Sequence, residues 1–177
     1  NTSAAIDDLL AALNEAPDDA RLHAMLAQAY ERDGSVSLAY DQYGKAFDLS
    51  QNSPEVGLAM AHFLMGYGRT DEALRVLEAA ESKTPNNRDV LALIAQFKLG
   101  AQDWVGAQEA ADKLRTLDKG ASDTSADRIA AAALVGLNRY ADSIDLLQKS
   151  IATSGNSKDV LADLVDAYVQ AGRQPAA

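Results

Sequence analysis

The chain has 177 residues and a formal net charge of −10, with 26 acidic side chains against 16 lysines and arginines. This balance argues against sequence-independent binding to nucleic acid or to anionic membranes, since both need a basic surface. The absence of cysteine excludes disulfides, thiolate zinc sites and thiol nucleophiles. No apolar run reaches the roughly 20 residues that a membrane-spanning helix needs.

Local composition favours helices throughout the chain. Hydrophobic residues make up 47% of it, aromatic residues only 6%, and there are four prolines. Much of the apolar content is alanine, which is the best helix former. We therefore predict an all-α protein whose core depends on close helix contacts around small side chains.

A period of 34 residues organises the sequence. It is clearest in alanines that recur at matching steps, and a fixed period between about 20 and 50 residues is typical of stacked repeats. Small side chains at such positions let two helices approach closely. The two series are Ala27, Ala61 and Ala95 in the first helix of each repeat and Ala39, Ala73 and Ala107 in the second.

In chain order, the period divides the sequence into a single array of about ten helices. Residues 1–19 form a half repeat with one helix, roughly Ala5 to Glu15, and extra residues around Gly120 to Asp123 shift the period by two. Because the chain lacks an initial methionine and begins and ends within a repeat, we expect it to be processed or excised. It is then either cut from a longer array or capped by its last helix. The full repeats are 20–53, 54–87, 88–121 and 124–157, and 158–177 forms a terminal helix and tail.

Acidic and hydroxyl side chains mark the predicted helix starts. Carboxylates are favourable there because they meet free backbone N–H groups. Asp7 with Asp8 and Asp18 with Asp19 fit such positions, and Ser35 can cap the helix that follows it. As catalytic dyads, these carboxylates lack any surrounding pocket signature.

Other residue types recur at matching steps in the repeats. They are Leu26, Tyr30, Gly34, Tyr43 and Ala46 in the first, Met60, Gly68, Leu77, Ala80 and Pro85 in the second, Ile94, Trp104 and Leu114 in the third, and Tyr140 and Leu147 in the fourth. This outline resembles the tetratricopeptide repeat family, and the likeness covers nearly the whole chain. It implies an α-α superhelical solenoid of helix pairs. More weakly, the alanine-rich acidic style is similar to bacterial repeat proteins of exopolysaccharide and surface-protein export systems.

The resemblance also implies where a partner binds. In this family the first helices line a concave groove, so Gln28, His62 and Gln96, spaced by 34, would form a ladder that bonds an extended peptide. Apolar side chains beside the ladder would form pockets; the alternative is that all of these are ordinary exposed residues. The implied groove residues are Arg21, Gln28, Glu31, Glu55, Leu58, His62, Met65, Asp89, Gln96, Leu99, Arg128 and Val135.

The sequence predicts no catalytic, cofactor or metal site. The only two histidines, His23 and His62, fall in different repeats, and no phosphate loop or nucleophile motif occurs. We interpret His23, Trp104 and Tyr140 as packing residues.

We therefore predict a non-enzymatic scaffold, a monomer or weak homo-oligomer, that binds a protein or peptide but neither nucleic acid nor membrane. The alternative is an assembly module that self-associates through its ends or its convex face. Bacterial cytoplasm and periplasm are both compatible with the sequence, which leaves partner and pathway open.

Overall fold

The computed structural model describes residues 2–117, 124–155 and 157–172, and within these ranges it has ten α-helices and no strand. The predicted all-α fold of about ten helices is therefore confirmed. None of these helices combines the length and apolar content needed to span a bilayer. The helices are α1 (Thr2–Glu15), α2 (Ala20–Asp33), α3 (Val36–Leu49), α4 (Pro54–Gly66), α5 (Thr70–Lys83), α6 (Arg88–Gly100), α7 (Trp104–Leu117), α8 (Ser125–Gly136), α9 (Tyr140–Ser154) and α10 (Lys158–Gly172).

The chain forms two compact units, residues 1–90 and residues 91–177. In the first unit α1 packs on α2, α2 on α3, α3 on α4 and α4 on α5. In the second unit α7 packs on α8, α8 on α9, and α10 on both α8 and α9. The helices named in these contacts thus pack mainly against their neighbours in sequence, as expected for stacked helix pairs.

Small side chains occupy the closest helix contacts. A residue without bulk is needed there because two helix backbones approach each other, and any added carbon must displace a neighbour. Gly57 in α4 shows how close the approach is, since a Cβ built on it would lie 3.0 Å from Cβ of Ala80 and 3.1 Å from the ring of Phe47. The six alanines of the two series, Ala27, Ala61, Ala95, Ala39, Ala73 and Ala107, are all 0% exposed, so their predicted burial is confirmed.

The helix starts follow the sequence prediction only in part. Asp19 caps α2, since its carboxylate accepts from the backbone N–H groups of Arg21 and Leu22. The same prediction for Asp7 and Asp8 is wrong, because both lie inside α1, which begins at Thr2 rather than near Ala5. The physical reason is that no glycine or proline interrupts the helix-forming residues that precede them.

The capping prediction for Ser35 is also wrong. The residue stands just before α3, but its hydroxyl donates to the Asp33 carboxylate at 2.8 Å and makes no capping bond. The Ser35 hydroxyl thus bonds to a nearby side-chain carboxylate and not to a backbone N–H group of α3. Sequence spacing alone does not reveal which of these two partners the hydroxyl takes.

Two serines of α9 replace apolar side chains of earlier repeats, since Ser143 matches Ala107 and Ser150 matches Ala46, Ala80 and Leu114. The Ser143 hydroxyl donates to the Ala131 carbonyl at 3.0 Å, whereas the buried Ser150 hydroxyl has no hydrogen-bond partner in the described part of the chain. The predicted two-residue shift at Gly120 to Asp123 lies outside the described residues.

We expect Ser150→Ala to raise the free energy of unfolding by about 1–2 kcal/mol, because a buried hydroxyl without a partner costs about that much. Alanine fits the position, since Ala46 and Ala80 occupy the matching steps at 0% exposure. The control is Ser143→Ala, which removes a satisfied hydroxyl and should leave stability unchanged or slightly lower. Urea unfolding followed by far-UV circular dichroism measures both. A Ser150→Ala protein no more stable than Ser143→Ala would contradict this account.

Candidate binding pockets

In the first unit, three of the predicted groove residues line one open pocket of about 510 Å³. Gln28 and Glu31 come from α2, where a spacing of three places them on one helix face. His62 comes from α4. We call this the first pocket, and its full lining is Gln28, Glu31, Arg32, Tyr43, Ala59, His62 and Phe63.

A buried tyrosine fixes one wall of the first pocket. Tyr43 is 2% exposed, and its hydroxyl donates to Glu31 Oε2 at 2.9 Å. Burial and then this hydrogen bond raise the pKa of Tyr43 above its usual range, because both favour the neutral phenol. The ring centroid of Tyr43 lies 5.1 Å from that of Phe63, whose centroid is 5.0 Å from that of Tyr67. The Glu31 carboxylate is therefore held at the edge of an aromatic wall.

The other predicted groove residues of the first unit do not line this pocket. Leu58 is half-buried and Met65 is 40% exposed, and both lie outside the lining. Arg21, Glu55 and Asp89 are exposed on their helices. The apolar side chains Leu58 and Met65 therefore do not share the first pocket with the polar side chains Gln28 and His62.

In the second unit, two further predicted residues, Leu99 of α6 and Val135 of α8, line a pocket of about 400 Å³. Its wall is mostly apolar, and α10 adds two carboxylates. We call this the second pocket, and its full lining is Leu99, Trp104, Ala131, Ala132, Val135, Gly136, Ser143, Leu147, Asp163 and Asp166. Gln96 is exposed on α6 and does not belong to it.

The indole of Trp104 occupies space that only a glycine leaves open. A Cβ built on Gly136 would lie 2.3 Å from Cδ2 of Trp104 and 2.6 Å from Cε2, far inside van der Waals contact. The sequence interpretation of Trp104 as a packing residue is therefore confirmed. Sequence reasoning missed that the same ring lines a pocket, because no local signal links a helix-terminal glycine to a tryptophan in the preceding repeat.

Arg128, another predicted groove residue, is engaged within the second unit. Its Nε donates to Asp163 at 2.5 Å, and its Nη1 lies 3.4 Å from Asp159. The hydrogen bond to Asp163 raises the pKa of Arg128, so the guanidinium stays charged and joins α8 to α10. A partner would have to compete with these carboxylates to reach it.

The buried histidine has a structural role. His23 Nδ1 lies 2.7 Å from Gln42 Oε1, and Nε2 lies 2.9 Å from the Pro17 carbonyl oxygen. These bonds tie α2 to α3 and to the preceding turn, which agrees with its interpretation as a packing residue. In residues 2–117, 124–155 and 157–172, no group of three or more His, Asp or Glu side chains could hold a metal ion.

Comparison with known proteins gives a family-model match over part of the chain and a set of similar folds. Residues 32–97 match the family model described as tetratricopeptide repeat. No curated protein matches the chain by sequence.

Among solved structures, a tetratricopeptide repeat protein from Parabacteroides merdae is 18% identical with a TM-score of 0.74, covering 97% of this chain and 68% of that one. YrrB, described as a TPR protein with an unusual peptide-binding site, is 16% identical with a TM-score of 0.72, covering 91% and 82%. MamA from Desulfovibrio magneticus RS-1 is 17% identical with a TM-score of 0.67, covering 85% and 90%. These likenesses concern the fold.

Proposed function

We propose that this chain, whose residues 32–97 match the tetratricopeptide repeat family model, is a non-catalytic scaffold that holds a segment of a partner protein against the first helices of its repeats. In this function the chain is one array with the half repeat, the four repeats and the terminal segment given above. Its contact residues are the twelve side chains named from the sequence, with those in the two pockets at the centre.

The observation that carries the proposal is the placement of five of those side chains in two open pockets. Gln28, Glu31 and His62 line the first pocket, and Leu99 and Val135 line the second. All five lie on first helices of the repeats. Amide, imidazole and carboxylate groups can bond a peptide backbone, and partly exposed leucine and valine can receive apolar side chains. By analogy, YrrB is described as having a peptide-binding site on the same kind of fold.

A capture experiment tests this function. The tagged protein is incubated with lysate of the source organism, and bound proteins are compared between wild type and the double variant Leu58→Glu/Leu99→Glu. These half-buried side chains lie on α4 and α6, and glutamate there would place charge against an apolar contact. We expect the variant to lose, by at least about tenfold, a protein that wild type retains.

The matched control is Leu38→Glu/Val105→Glu, which makes the same kind of change at exposed apolar positions of second helices, 46% and 56% exposed. We expect this control to retain the partner. Circular dichroism melting of every variant checks that the fold is kept. A partner retained equally by folded wild type, test variant and control would exclude the first helices as the binding surface.

One observation favours the alternative of self-association. On α10, Leu161, Val165, Tyr168 and Val169 are all between 40% and 63% exposed and follow helical spacing on one side of the helix. Val165 lies 34 residues, one period, after Ala131, which is only 2% exposed. The step that is buried in α8 is therefore exposed on α10. A second copy of the chain could cover this face, and sedimentation of wild type would then show a mass that rises with concentration. A scaffold that binds only its partner would keep the monomer mass.

A further inference from the structure

We propose that the second pocket takes the side chain of a lysine or arginine in the bound segment. This inference rests on the proposed function and names the chemistry of the partner at one of its pockets.

The wall of the second pocket suits the stem of a long side chain. Leu99 and Val135 are half-buried, Leu147 is 1% exposed, and the indole of Trp104 completes the apolar surface. Lysine and arginine carry three or four methylene groups that pack along such surfaces while the charged end stays near water. Trp104 also lines the pocket, and an indole ring attracts a cation, arginine above all. The pocket thus offers contacts to both parts of a basic side chain.

The edge of the second pocket carries negative charge. Two carboxylates, those of Asp163 and Asp166, line the pocket. Asp163 already accepts a hydrogen bond from Arg128, so the charge of that carboxylate is offset by a cation of the chain itself. Asp166 is exposed, and in the described ranges its carboxylate forms no ion pair and accepts only a 3.5 Å hydrogen bond from Gln170. Asp166 therefore leaves one carboxylate available to a cation of the partner. An acidic segment would be repelled, and a purely apolar one would leave Asp166 unmatched.

The first pocket serves as an internal contrast. Its lining contains Arg32 beside Glu31, so a cation entering it meets a charge of its own sign. The preference for a basic side chain is therefore expected at the second pocket and not at the first. The net charge of −10 over the whole chain also favours a basic segment at long range.

The experiment titrates the intact chain with three blocked peptides, Gly-Leu-Arg-Leu-Gly, the same peptide with norleucine in place of arginine, and the same with glutamate. Trp104 is the only tryptophan, so its indole N–H resonance reports occupancy of the second pocket. We expect the arginine peptide to shift this resonance with an affinity at least about fivefold higher than the norleucine peptide, as a partly exposed charge pair provides. The glutamate peptide should be the weakest. Raising the salt from about 0.05 to about 0.5 M should reduce the preference for arginine.

A matched pair of variants locates the effect. Asp166→Asn should abolish most of the arginine preference, whereas Asp145→Asn removes the same charge from an exposed position on α9 outside the pocket and should keep it. Equal affinity of the arginine and norleucine peptides, an unchanged preference in Asp166→Asn, or no shift of the Trp104 resonance with any peptide would each overturn the inference.

The two proposals fail in different ways. Loss of a partner in Leu58→Glu/Leu99→Glu together with no arginine preference would leave the scaffold function standing and remove the charge selectivity. An arginine preference that depends on Asp166, together with partner capture that the first-helix variants do not affect, would exclude the first helices as the partner's binding surface and leave a basic-side-chain pocket.

Discussion

Replacement of Tyr43 by alanine is expected to lower the free energy of unfolding by about 3–5 kcal/mol, the usual cost of deleting a buried aromatic side chain. The ring is 2% exposed and packs against Phe63, and the hydroxyl donates to Glu31. Urea unfolding followed by far-UV circular dichroism measures the change. The control is Tyr168→Ala, whose ring is 51% exposed and whose loss should cost less than about 1 kcal/mol. Equal losses in the two variants would contradict the central position of Tyr43.

The phenol of Tyr43 also predicts a pH dependence. Burial and the bond to Glu31 raise its pKa in the folded state, whereas in the unfolded chain it titrates near about 10. Above that pH the unfolded state loses the proton first, so stability falls as the pH rises through about 10 and beyond. The variant Tyr43→Phe keeps the ring and removes the ionisation. Its stability should therefore decline less steeply with alkaline pH than that of wild type, and parallel profiles would show that Tyr43 does not contribute.

Ala73→Leu is expected to destabilise the first unit by about 1–3 kcal/mol through overpacking. Ala73 lies in α5, is 0% exposed and belongs to the series of small residues that recurs every 34 positions. The added carbons would have to displace a neighbouring helix or adopt a strained rotamer. Thermal and urea unfolding both measure the loss.

The matched control is Ala11→Leu in α1, an exposed alanine of the same unit, where leucine should change stability by less than about 0.5 kcal/mol. If Ala73→Leu unfolded at the same urea concentration as wild type, the close helix contact at this step would be disproved. A loss in both variants would point to an effect of leucine in general and not to the packing at Ala73.

The residue pattern alone was enough to predict the number and type of helices and the burial of the six small residues. These features depend on local helix preference and on a period that repeats along the chain, so each repeat supplies the same information independently. It also identified Trp104 and His23 as packing residues, because large side chains at helix starts and on inner faces have few other uses in such an array. Asp19 was recognisable as a helix cap because an aspartate just before a helix can accept hydrogen bonds from the free backbone N–H groups of the first turn.

The packing of the helices was needed to show which side chains share a pocket and which already have a hydrogen-bond partner. The repeat pattern placed Arg128 among the groove residues, yet its guanidinium already donates a hydrogen bond to Asp163 of α10. Trp104 lines a pocket because Gly136, 32 positions later, leaves room for the indole. A helical period gives the direction in which a side chain points from its own helix. The distance to groups on other helices depends on how those helices pack. That distance decides whether a carboxylate forms an ion pair, whether a buried hydroxyl finds a hydrogen-bond partner and whether a pocket stays open.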